Sequence, residues 1–63
     1  MANKHQKKMI NFVLNYDGWQ TYSTDKLTVE IVCSLVNLGI LKLNNFGQMK
    51  LKSREHANRF MEG

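Results

Sequence analysis

The sequence predicts an α+β domain in the order helix, short strand, helix, β-hairpin, short C-terminal helix. Three observations carry that expectation. Apolar residues recur at helical spacing over residues 3–16 and again over 24–38. After Gly39 the apolar period changes to two. The two runs with period two flank Asn44-Asn45-Phe46-Gly47, a cluster suited to a tight turn.

The first helix is amphipathic. On a wheel of about 100° per residue, Met9, Ile10, Phe12, Val13, Leu14 and Tyr16 share one side. Lys4, Lys7, Lys8, Asn11 and Asn15 share the other. Asn3 is the expected N-cap, and Asp17-Gly18 is the expected stop. The segment Gly18-Trp19-Gln20-Thr21-Tyr22-Ser23 is too short for a further helix. Its aromatic and β-branched content predicts a strand, with Trp19 and Tyr22 supplying bulk to a small core.

Ser23 or Thr24 is expected to cap the second helix, with Asp25 in its first turn. Leu27, Ile31, Leu35 and Leu38 form one apolar row, and Val29, Val32 and Val36 form a second beside it. Together they span roughly 200°, wider than the stripe of a surface helix. The helix at 24–38 is therefore expected to be covered on two sides or to take part in an interface, a homodimer included. Lys26, Glu30, Cys33, Ser34 and Asn37 remain on its polar side. Gly39 ends it.

In the hairpin, Leu41 and Leu43 alternate with Lys42, and Met49 and Leu51 alternate with Gln48, Lys50 and Lys52. The alternation predicts an apolar face turned inward and a basic face turned outward. Ser53 is placed to cap a last helix carrying Ala57, Phe60 and Met61 on one face.

Composition narrows the function classes. The chain has 63 residues, 43% of them hydrophobic and 22% charged, which fits one small folded domain, residues 1–63. Such a chain buries roughly 60% of its unfolded surface, so its core is small. Cys33 is the single cysteine, so no internal disulfide is available. A reducing, cytoplasmic setting is the expectation. No apolar run approaches the ~18 residues of a membrane span, and neither a secretory signal nor a membrane partner is expected. His5, His56 and Cys33 are too scattered for a zinc site. No nucleophile constellation, paired carboxylates or glycine-rich phosphate loop is present, so neither an enzyme nor a cofactor is expected.

Nine lysines and arginines face five acids, giving a net charge of +4. The basic residues lie toward the two ends, and residues 24–39 are slightly acidic. This balance fits either a phosphate-bearing partner or a lysine-solvated surface. The outward row Lys42, Lys50 and Lys52, followed by Arg54, suits phosphate contact, and equally suits protection of a hairpin edge. Lys4, Lys7 and Lys8 form a second basic face. Phe46 at the turn tip either folds back or meets a partner.

Thr28, Val32, Leu35, Gly39, Ile40 and Leu41, with the hairpin that runs from Leu41 to Leu51, carry a family likeness. This stretch resembles the second half of a winged helix-turn-helix domain. With its Trp19-led strand, the chain is similar to small bacterial and phage proteins of that type. Where that family places two helices between the first strand and the wing, residues 24–38 provide one. The resemblance implies a winged-helix-like transcriptional regulator that binds double-stranded DNA. The helix at 24–38 would then be the reading helix, with Lys26, Thr28, Ser34 and Asn37 toward the bases. Lys42, Lys50, Lys52 and Arg54 would hold phosphates from the wing. The alternative is a protein-interaction module, a phage-type small protein that binds or inhibits a host complex. The scarcity of basic residues on the helix at 24–38, its wide apolar face and Phe46 favour that alternative.

Overall fold

The computed structural model describes residues 3–16 and 18–62. The expected α+β architecture and element order are observed. Helix α1 spans Lys4–Asn15, strand β1 Gln20–Thr21, helix α2 Lys26–Asn37, strand β2 Leu41–Leu43, strand β3 Gln48–Leu51, and helix α3 Arg54–Glu62. The strands form one antiparallel sheet in the order β1-β3-β2. Register pairs Leu41 with Leu51, Lys42 with Lys50, Leu43 with Met49, and Gln20 with Met49.

Side-chain caps set the helix starts. At α1 the Gln6 N–H donates to Asn3 Oδ1 at 2.8 Å, and the Asn3 N–H donates to Gln6 Oε1 at 3.0 Å. This reciprocal pair satisfies two backbone groups at the helix terminus. The expected stop at Asp17 lies outside the described residues. At α2 the cap is Asp25, not Ser23 or Thr24, so the helix begins one or two residues later than the sequence suggests. A carboxylate has two acceptor oxygens, and Asp25 uses both on Thr28. Its Oδ2 accepts the Thr28 N–H at 3.0 Å and its Oδ1 accepts the Thr28 hydroxyl at 2.8 Å. The Ser23 hydroxyl donates to the same carboxylate. At α3 Ser53 takes the expected role, its Oγ accepting the His56 N–H at 3.2 Å.

Gly39 turns the chain from α2 into the sheet. Its φ of 79° lies in the left-handed region, where glycine has no Cβ penalty. The Gly39 N–H donates to Val36 O and the Ile40 N–H to Leu35 O, each at 3.0 Å. That pair of bonds is a Schellman motif, and it brings Ile40 into the core with Leu35.

The core lies between the helices and the inner face of the sheet. Ile10 and Val13 come from α1, Val32 and Leu35 from α2, Ile40, Leu41 and Met49 from the sheet region, and Ala57 from α3. Phe60 and Met61 pack against it, as the wheel of α3 predicts. One expectation is corrected. Trp19 is not part of this core; it precedes β1 and is 38% exposed. Helix α2 packs against both α1 and β2, and part of its wide apolar face stays open. Val32 and Leu35 are buried, whereas Leu27 and Leu38 are 53% and 51% exposed. The reason is that α3 packs on α1, which leaves one flank of α2 open. The strand expected over Gly18–Ser23 pairs only at Gln20 and Thr21.

Candidate nucleic-acid interface

Strand alternation divides the sheet residues. Leu41 and Met49 are buried against the helices. Lys42 and Lys50, each next to one of these in sequence, stand on the opposite face and pair directly across the strands. Two like charges directly opposite each other destabilise a sheet. Trp19 relieves part of that repulsion. The Nζ atoms of Lys42 and Lys50 each lie 5.8 Å from its ring centroid. The negative face of an indole attracts both ammonium groups. Among the described residues, neither lysine has an acidic partner.

Lys52 follows β3, is exposed, and alternates in phase with Lys50. Its N–H donates to Ile40 O at 2.8 Å, so the backbone there is still tied to the other hairpin arm. Lys42, Lys50 and Lys52 therefore share one side of the sheet, with Trp19 among them. Arg54 opens α3 and is exposed.

The residues expected on the reading helix are distributed differently. Lys26, Glu30, Cys33 and Asn37 form one exposed stripe along α2. Lys26 and Asn37 are eleven residues apart, or about 16 Å along the axis. Glu30 stands between them. Thr28 and Ser34 have structural partners. The Thr28 hydroxyl is engaged by Asp25. The Ser34 hydroxyl donates to Ile31 O at 2.7 Å and accepts from Gln6 Nε2 at 3.1 Å, which ties α2 to α1. The α2 stripe points away from Val32 and Leu35, and the lysine face points away from Leu41 and Met49. The common core thus separates the two surfaces.

The hairpin tip is held by Asn44. Its Oδ1 accepts the N–H groups of Phe46 at 2.9 Å and Gln48 at 3.1 Å, and its Nδ2 donates to Gln48 Oε1 at 2.8 Å. Phe46 is 84% exposed and does not fold back onto the core. A groove of about 330 Å³ lies on another side, between α1, β1 and the start of α2. Met9, Phe12, Tyr22, Leu27 and Ile31 supply its apolar lining, with His5 and Lys8 on the α1 side.

Hydrogen bonds at the α2 cap perturb one acid. The Ser23 hydroxyl, and then the N–H and hydroxyl of Thr28, hold the Asp25 carboxyl down to about 2. Cys33 is an exposed free thiol. Among the described residues no three His, Cys, Asp or Glu side chains gather into a potential metal site. Among the described residues no helix is long and apolar enough to cross a membrane.

The place of Trp19 beside the lysines is the feature the sequence reading missed, although a signal was present. Trp19 and Tyr22 are three residues apart, and in one extended segment that spacing puts them on opposite faces. Tyr22 packs against the core, so Trp19 falls on the outer side. No protein-family model matches this chain, and neither a curated protein nor a solved structure matches it.

Proposed function

We propose that this chain is a DNA-binding module of winged-helix type that acts in transcriptional regulation and holds DNA phosphates on the outer face of its sheet. The observation that supports this reading is the cross-strand pair Lys42 and Lys50, side by side without an acidic partner among the described residues. Lys52 extends the pair to a row of three. A fixed row of ammonium groups releases counterions from a phosphate backbone without reading base sequence. Lys42, Lys50 and Lys52 carry this contact, and α2 holds the sheet in place through Gly39. A single module with so few cations binds weakly. A second copy, seated on the open flank of α2 at Leu27 and Leu38, would raise the affinity by joining two such faces.

The test is anisotropy of a labelled duplex with the wild type and with a Lys50→Glu, Lys52→Glu double variant. Both lysines lie outside the buried core, so the variant is expected to fold. The expected result is retention of DNA by the wild type and its loss in the variant. Equal retention by both proteins overturns the phosphate contact.

Phe46 and the apolar groove favour a second reading, a protein-interaction module that binds a host complex. Biological activity that survives in the double variant, without DNA affinity, selects that reading.

A further inference from the structure

Trp19 is the one tryptophan of the chain, and it lies on the sheet face that the helices leave open. A small domain gains most from a tryptophan by burying it, yet Trp19 is 38% exposed. The two lysine ammonium groups stand 5.8 Å from its centroid, near the ~6 Å limit of a cation–π contact. A phosphate offers each ammonium a charge-assisted hydrogen bond in exchange for the ring, and neither has an acidic partner among the described residues. We infer that this face takes single-stranded DNA, with an unpaired base stacked on the Trp19 indole and the adjoining phosphates on Lys42 and Lys50.

This inference rests on the proposed phosphate contact and names the form of DNA that makes it. In a duplex each base is covered above and below by its neighbours, and only base edges reach the grooves. An indole lying on a sheet finds no π face there. An unpaired base offers one, and stacking on an aromatic side chain tolerates any sequence. An aromatic platform flanked by cations has the chemistry of single-strand binding.

Because Trp19 is the sole tryptophan, its own emission reports the contact. The probes are a thymidine oligomer of about 12 nucleotides and a duplex of equal length, both at about 50 mM salt. The oligomer is expected to quench Trp19 emission and to bind more tightly than the duplex. With a labelled oligomer, Trp19→Ala is expected to weaken binding by about 5- to 150-fold, the worth of one stacked base. Trp19→Phe keeps a ring and is expected to recover part of that loss. Duplex affinity is expected to change less than oligomer affinity in both variants, because a duplex offers the ring no base face. Trp19 lies outside the core, and a thermal melt checks that both variants fold.

Oligomer binding with unchanged Trp19 emission, or with wild-type affinity in Trp19→Ala, overturns the stacking and leaves the phosphate contact standing. Absence of binding to either probe overturns both.

Discussion

Replacing Gly39 probes the turn that sets the sheet against α2. The glycine has a φ of 79°, and a Cβ built there comes no closer to another residue than 3.9 Å, at His56 Nδ1. That is ordinary van der Waals contact, so neighbours impose no steric cost on alanine. The whole penalty is therefore conformational, about 1–2 kcal/mol for an L-residue in the left-handed region. A chain of this size has a total stability of roughly 3–9 kcal/mol. At about 4–8 °C per kcal/mol, Gly39→Ala should lower the melting temperature by roughly 5–15 °C. Asparagine tolerates positive φ better than alanine, and β-branched valine tolerates it worst. The expected order of melting is therefore glycine, asparagine, alanine, valine. Thermal unfolding followed by far-ultraviolet circular dichroism reads it directly. Wild-type melting of Gly39→Ala, or equal losses for asparagine and valine, would refute the argument from φ.

Leu35 is fully buried at the centre of the core, so Leu35→Ala should cost about 2–5 kcal/mol. That is a large share of the total, and urea unfolding measures it; a loss below about 1 kcal/mol would mean that the core is centred elsewhere. Asn44→Ala removes three side-chain hydrogen bonds at the hairpin tip and should cost about 1–2 kcal/mol in the same assay. The Asp25 carboxyl is lowered from an ordinary 3.8 to about 2, so its charged form favours the folded state. Its contribution is complete above the ordinary value and fades as pH falls through about 4 toward about 2. Wild type should therefore melt above Asp25→Asn at neutral pH and lose that advantage near pH 2; a gap independent of pH contradicts the cap.

The hairpin was legible because Leu41-Lys42-Leu43 and Met49-Lys50-Leu51 alternate cleanly around a turn cluster. Gly39 was legible because a glycine after a helical row marks an end. Asn3 stood alone as a cap candidate before the first helix. At the second helix Ser23, Thr24 and Asp25 all qualify, and only geometry decides which one meets Thr28. A carboxylate that engages both Thr28 donors prevails over a single hydroxyl. The width of the apolar face of α2 was legible, but its covering depends on where α3 packs. Within the candidate site, the common face of Lys42, Lys50 and Lys52 followed from parity alone. Thr28 and Ser34 looked like available polar groups, because a wheel gives directions and not partners. Their hydroxyls go to Asp25, Ile31 and Gln6. Size alone places Trp19 in the core, whereas its spacing from Tyr22 carries the better information.

The most direct test of the central claim is the salt dependence of DNA affinity for the unmodified protein. Three phosphate contacts, from Lys42, Lys50 and Lys52, give a slope of log affinity on log salt of about −2.7 on duplex and about −2.1 on single strands. Between about 50 and 200 mM salt, affinity should then fall roughly 20- to 40-fold. A slope near zero, or the absence of binding at the lower salt, would contradict a sheet face built to hold phosphates.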